Sequence, residues 1–284
     1  MTFDACHINR GEIVRKNFHT HSTWCDGKAT LDEMASAALE KGFVALGFSS
    51  HFSEVPLDEC VVEVARHSDY VRAVRALAAR MAEKLRVYCG AEADFLSGVT
   101  RPLKAAFASL KLDYLIGSVH YVWAPDGAKV AVDFSPEKLA QDLVDHFDGS
   151  SEAFVKAYFN AEREMIATGD FDILGHADLV RKFNERRPFF DESASWYRDE
   201  LEKTAEVIAA SSCLVEVNTG AISRGWLNDV YPSRPFRDLL RARGVRFVLS
   251  SDAHAPAALD VGFADWQGAE DFIDFEAYLE GYHG

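Results

Sequence analysis

The sequence predicts a parallel α/β barrel built from seven strand–helix units in one domain over residues 1–284. Three observations carry that reading. Short apolar runs recur and are followed by helical patterns, no Pro/Gly/Ser-rich linker interrupts them, and polar residues cluster just beyond the runs. The runs cover 13–18, 43–48, 85–89, 113–116, 171–174, 213–217 and 245–249. They are short and mostly rich in Val, Ile, Leu, Phe or Tyr, as strands buried on both faces are.

Helices follow from periodicity. Val71, Val74, Leu77, Met81 and Leu85 recur at helical spacing, as do Phe154, Tyr158, Ala161 and Met165. A third helix is expected over 195–210, and a shorter one closes at 239–243 with Gly244 as its stop. Strand–helix alternation without a linker calls for βαβ crossovers and a closed or nearly closed barrel. A doubly wound dinucleotide fold lacks its Gly-rich turn after the first strand. Three longer connections, 121–136, 183–193 and 218–233, are read as lid or specificity loops. Trp24, Tyr121, Trp123, Phe183 and Trp226 are the aromatic residues expected to border a flat ring.

Composition excludes several classes of partner. The 284 residues are 48% hydrophobic and carry 30 Lys plus Arg against 45 Asp plus Glu, a net charge of −15. Such a balance opposes binding to duplex nucleic acid or an anionic membrane, both of which call for clustered cations. Neither a signal-type apolar segment nor a membrane-length apolar run is read in the chain. Five widely spaced cysteines without a C-x-x-C pair suit reduced thiols of a cytoplasmic protein, most of them in the core.

The polar residues after the runs carry the chemistry. His19-Thr20-His21, Ser49-Ser50-His51, Gly90-Ala91-Glu92, Gly117-Ser118-Val119-His120, Gly175-His176 and Ser250-Ser251-Asp252-Ala253-His254 stand at six of the seven strand ends. In a parallel barrel these ends converge on one face, where active sites lie. Six of the ten histidines are there. Imidazole and carboxylate are ligands for Zn, Mn and Fe, and an i, i+2 pair such as His19 and His21 points to one face of an extended strand. Asp26 follows in the loop over the same mouth.

The motifs HTHSTWCDG, SSH, GAEADF, GSVH, GHADLV and SSDAH, in this order, resemble the polymerase-and-histidinol-phosphatase (PHP) superfamily over about residues 17–262. SVHYVW, FDILGHADLVRKF and EVNTG are similar to its stand-alone histidinol-phosphate phosphatases. The resemblance implies a distorted (β/α)7 TIM-like barrel with two or three divalent metal ions at the C-terminal ends of the strands. It assigns one metal to His19, His21, Glu92 and Asp252. Glu92 would bridge to a second metal held by His120 and His176, and a third would take Asp26, His51 and His254. His7, His67, His146 and His283 fall outside every motif and are expected at the surface or at caps.

The implied activity is hydrolysis of a small phosphorylated metabolite, L-histidinol phosphate, in histidine biosynthesis. Three divalent ions against three carboxylates and a bridging hydroxide leave about +2, which suits a phosphate dianion, and a metal brings the pKa of bound water from ~15.7 to about 7. Attack of that hydroxide on phosphorus follows. Arg181 and Arg224 are expected to grip the phosphate, with Lys182 behind them. Asp252, His254 and a metal-bound water remain open as the acid for the leaving group. Alternatives are a PHP phosphoesterase for nucleotides or other small esters, an amidohydrolase barrel, and a non-catalytic metal-binding or polymerase-accessory module. Glu92 in place of a carboxylated lysine argues against the amidohydrolase. A free-standing chain with a full ligand set argues against the accessory module. The oligomeric state is left open.

Overall fold

Seven parallel strands are hydrogen-bonded to one another in the order in which the chain makes them. They are β1 (Arg15–Asn17), β2 (Phe43–Phe48), β3 (Arg86–Asp94), β4 (Tyr114–Ser118), β5 (Ile173–Leu174), β6 (Leu214–Asn218) and β7 (Phe247–Ser250). The structure is a computed structural model describing residues 15–266 and 272–282. The seam between the first and last strands is drawn together past their C-terminal ends. There the His21 amide donates to Ala253 O at 2.9 Å, and the Ala253 amide donates to His19 O at 3.3 Å. The nearly closed barrel is therefore locked at the polar motifs themselves.

Helices α1 (Leu31–Glu40), α2 (His67–Met81), α3 (Pro136–His146), α4 (Ser151–Thr168), α5 (Ser195–Ala210), α6 (Arg234–Ala242) and α7 (Phe275–Tyr282) surround the strands. Thr30 and Glu33 form a reciprocal capping box at the start of α1. Ser135 caps α3, with Pro136 at its first position. Gly244, at φ +75°, ends the turn after α6 as expected. The β3–β4 crossover departs from the strict strand–helix alternation: it carries a 3-10 turn over Ala108–Leu110 in place of an α-helix.

Other expectations are corrected. The 121–136 segment is not irregular; Tyr121–Trp123 and Lys129–Ala131 pair as an antiparallel hairpin leading into α3. The third strand runs to Asp94 instead of ending at 89, so Glu92 lies within it. Among the cysteines, Cys89 is buried, Cys25 and Cys213 are half-buried and Cys60 is exposed, all as free thiols. Cys60 is thus not a core residue, and Cys6 lies outside the described residues. No helix among the described residues is long and apolar enough to cross a membrane.

The barrel interior holds Phe18, Ala45, Tyr114, Ile116, Ile173, Leu214 and Val248, together with Phe275 and Leu279 of α7. The Phe275 ring lies 4.8 Å from that of Phe18 and 5.5 Å from that of Tyr114. Glu276 pairs with Lys16, Arg86 and Tyr88, and Tyr278 donates to Asp172, all near strand starts. Helix α7 therefore plugs the end of the barrel opposite the polar motifs. Burying each of its two apolar anchors contributes roughly 1.5–3 kcal/mol. Tyr114 fills the middle because β2 and β3 give it room: a Cβ on Gly47 or Gly90 would fall 2.3 Å from its hydroxyl or ring.

Candidate metal centre

The strand ends place the polar motifs around one buried carboxylate. His19 and His21 follow β1 and are fully buried. His51 opens a two-residue strand whose register sets it opposite Glu92 of β3. His120 lies two residues past β4, His176 two past β5 and Asp252 two past β7. His176 and Asp252 adopt positive φ, +22° and +49°. A non-glycine residue held there stores of order 1–3 kcal/mol, strain that collects at functional sites.

Glu92 is the hub. Its Oε2 lies 3.0 Å from His19 Nε2, 3.3 Å from His21 Nε2 and 3.2 Å from His51 Nδ1. Its Oε1 lies 3.0 Å from His176 Nε2 and 3.5 Å from His120 Nε2. The two oxygens of one carboxylate thus face two sets of imidazoles. Asp252 Oδ1 stands 3.2 Å from His21 Nε2 and 3.6 Å from His19 Nε2. Asp26 Oδ2 is 3.1 Å from His254 Nε2, and its Oδ1 is 3.7 Å from His51 Nε2. All nine ligand candidates come together. His19, His21 and Asp252 form one donor group, His51, Glu92 and His120 another, and His21, Asp26, His51 and His254 a third. The grouping differs from the expected partition: His51 and His21 each stand between two groups, Glu92 joins His51 and His120 and not His19 and His21, and His176 is in none of the three, reaching the centre through Glu92 Oε1.

Electrostatics favour a cation. Burial works against ionising Glu92 and Asp252, yet the imidazoles around both, and Arg224 beside Asp252, hold them well below the usual carboxylate range. Burial likewise opposes charge on His19 and His120. The carboxylates beside them win, raising His19 well above 6.5 and His120 to about 10. His254 goes the other way, down to about 4, through burial and the neighbouring His21 and Arg224. His21 Nε2 is buried without a hydrogen-bond partner although carboxylate oxygens stand on two sides. Imidazoles and carboxylates buried this close together need positive charge among them, as protons or as a metal ion, and the donor set suits Zn, Mn or Fe.

Two further carboxylates complete the arrangement. Glu216 accepts from His19 Nδ1 at 2.8 Å and from the His176 amide at 2.8 Å. Asp94 accepts from His120 Nδ1 at 2.5 Å. Each fixes an imidazole with its other nitrogen turned inward, the usual support of a metal-ligating histidine. Both stand inside quoted motifs, GAEADF and EVNTG, but were given no role there. Asp94 stands i+2 from Glu92, and Glu216 lies in the one strand whose end had no ligand, which was the available signal.

A cleft of about 610 Å3 opens above this centre and is lined in part by Arg224, Lys182, Tyr121 and Phe134. The two guanidinium Nη atoms of Arg224 donate to Asp252 Oδ2 at 2.9 and 3.1 Å. Lys182 donates to Asp133 Oδ2 at 2.8 Å. Arg181 is placed otherwise than expected. It is buried in loop packing, donating to Glu192 at 3.1 Å and to Val230 O at 3.4 Å, while its neighbour Lys182 lines the cleft. Of the expected aromatic residues only Tyr121 borders the cleft. Phe183 and Trp226 pack edge to face on each other, Trp24 packs on Tyr70, and Trp123 donates to Ser97 O. His146 is partly exposed and pairs with Asp126. His67, expected at the surface or at a cap, caps the 3-10 turn over Val64–Arg66, its ring buried and stacked on Phe52 at 3.9 Å. His7 and His283 lie outside the described residues.

Residues 17–220 match the PHP domain family. A relative from Deinococcus radiodurans named "Probable histidinol-phosphatase" is 28% identical over 258 residues, covering 87% of this chain and 89% of its own. A solved structure from Listeria monocytogenes shares the fold with a TM-score of 0.77 at 17% identity, over 89% of this chain and all of that one. The histidinol phosphate phosphatase of Lactococcus lactis, solved with zinc, L-histidinol and phosphate, aligns with a TM-score of 0.58 at 18% identity, over 86% and 88% of the two chains. The match spans well over half of the residues, and the chain belongs to the PHP domain family.

Proposed function

We propose that this protein is a metal-dependent phosphomonoesterase that hydrolyses L-histidinol phosphate to L-histidinol and phosphate. The observation that carries the reading is Glu92, one carboxylate with each oxygen against a different set of histidines, at the floor of a cleft walled by Arg224 and Lys182. Similarity to the histidinol phosphatases over most of both chains supports the substrate. In this reading His19, His21, Glu92 and Asp252 hold one divalent ion, Glu92, His120 and His176 a second, and Asp26, His51 and His254 a third, drawn from Zn, Mn and Fe. Bound there, the ions supply Lewis acidity toward water and the phosphoryl oxygens.

The chain's own residues do the positioning. Asp252 and His254 engage only part of Arg224. A guanidinium has five donors, so N–H groups remain for a phosphoryl oxygen. Lys182 places a second positive charge on the cleft wall. Arg181 braces the loop that carries Lys182. Asp58 and Glu59 line the same cleft and bring negative charge toward a cationic substrate end, while Tyr121 and Phe134 offer ring surface. Four free thiols among the described residues support the cytoplasmic setting, and residues 1–284 are read as one domain. Phosphate release from L-histidinol phosphate, measured before and after chelation, tests the reading. Chelation should abolish release and Mn or Zn should restore it; release that persists in the stripped protein would contradict metal dependence.

A further inference from the structure

Cys25 occupies a place that the reaction does not explain. His19 and His120 each turn Nδ1 to a buried carboxylate, Glu216 or Asp94. His21 has no carboxylate within hydrogen-bonding reach of its Nδ1; Asp26 Oδ1 is 3.7 Å away. What faces that nitrogen is Cys25 Sγ, at 3.4 Å. The thiol in turn donates to Ser22 O at 3.6 Å, within the reach of a sulfur hydrogen bond. With its own proton committed to a carbonyl, the sulfur has lone pairs to accept Nδ1–H. The opposite nitrogen of the same ring, Nε2, is the buried atom that lacks a partner and stands between Glu92 and Asp252.

We infer that Cys25 is a positioning residue for the metal centre, holding the His21 imidazole as the Nδ1–H tautomer so that the Nε2 lone pair points at the metal. The inference rests on the assignment of His21 as a ligand made above. The tight turn supports this placement. The Cys25 amide donates to Ser22 O at 3.0 Å and the Gly27 amide to the same oxygen at 3.1 Å. A Cβ on Gly27 would fall 2.4 Å from the Ser22 nitrogen, so the turn closes this tightly only with glycine there. The turn thereby fixes the thiol under the imidazole, and sulfur takes the role that carboxylates take for His19 and His120.

The test measures metal binding alone, apart from any turnover. Zn2+ affinity is determined by competition with a chromophoric chelator for the parent protein, Cys25→Ala and Cys25→Ser, with circular dichroism reporting the fold of each. Loss of an outer hydrogen-bond partner weakens metal affinity by about 10–100-fold. That loss is expected for Cys25→Ala, and Cys25→Ser, which keeps an acceptor and a donor, should recover most of it. Parent-like affinity in Cys25→Ala overturns the inference. Equal losses in both variants, or a thiolate-to-metal charge-transfer band in the Co2+-loaded parent, mean that Cys25 is itself a ligand and also overturn it. If no variant and no parent protein binds Zn2+, the metal-centre reading fails instead.

Discussion

Glu216→Gln is the substitution whose consequences the structure defines most closely. The carboxylate is fully buried and accepts three bonds: His19 Nδ1 at 2.8 Å on Oε2, and the His176 amide at 2.8 Å with Asn218 Nδ2 at 2.7 Å on Oε1. Burial opposes its charge, but His19 and then His176 keep it ionised below the ordinary glutamate value. A glutamine has one acceptor oxygen. Turned toward His176 and Asn218, it sets its NH2 against His19 Nδ1 and drives the imidazole to the Nε2–H tautomer, which puts a proton where a metal needs a lone pair. Turned the other way, it sets NH2 against two donors. Losing one charge-assisted bond costs about 1.5–3 kcal/mol of stability. Losing the outer partner of a ligating histidine costs about 10–100-fold in metal affinity. Urea unfolding and chelator competition on the parent, Glu216→Gln and Glu216→Asp measure the two effects separately. Parent-like metal affinity in a folded Glu216→Gln protein would refute the reasoning, since His19 would then not depend on its outer partner.

Other expectations follow from the same geometry. Lys182→Ala should lower kcat/KM for phosphate esters by about 1.5–3 kcal/mol, the scale of hydrogen bonds to charged groups. Arg181→Ala should act mainly on stability, and steady-state kinetics beside thermal melts distinguish the two. Arg224→Ala should lower kcat/KM and also loosen metal binding, because the guanidinium holds Asp252 and contacts His254; intact metal affinity would limit its role to the substrate. Glu276 is held at about 2, against an ordinary 4.5, by Arg86, Lys16 and Tyr88 in opposition to burial. Its folded value lies below its unfolded one, so its stabilisation is complete above pH 4.5 and is lost as pH falls from there toward 2. Melting curves of Glu276→Gln should therefore be flatter than the parent's across that acid window. Gly90→Ala drives a Cβ to 2.3 Å from the Tyr114 ring inside the barrel. Overpacking of that kind costs about 1–3 kcal/mol, visible as a lower urea midpoint, whereas an unchanged midpoint would mean that Tyr114 can yield.

The barrel was legible because parallel strands write themselves as apolar runs, and their ends as polar motifs. All seven runs became strands, and every ligand candidate joined one cluster around Glu92 and Asp26. Chain ends of the strands were less legible: Glu92 extends β3 because His51 and β4 pair with it, a tertiary effect absent from local pattern. The 121–136 hairpin and α7 were missed for different reasons. The hairpin strands are three residues each, too short to show alternation. Helix α7 is recognisable only through what it plugs, the apolar barrel floor around Phe18 and Tyr114. The Thr30/Glu33 box that starts α1 was a readable signal that periodicity alone passed over. Arg181 and Lys182 show the limit of spacing arguments. They are adjacent in sequence, but the 3-10 turn over Leu179–Arg181 turns the arginine inward and leaves the lysine on the cleft.

The most direct test of the proposed activity is a side-by-side determination of kcat/KM for L-histidinol phosphate, a plain aryl phosphate and a nucleoside monophosphate on fully metallated protein. A site that pairs its polar groups with the ammonium and imidazole of the substrate should favour L-histidinol phosphate over the aryl ester by at least roughly 100-fold, about 2.7 kcal/mol. Equal rates on the two, or a clear preference for the nucleotide, would contradict the assignment and leave a phosphoesterase of different specificity.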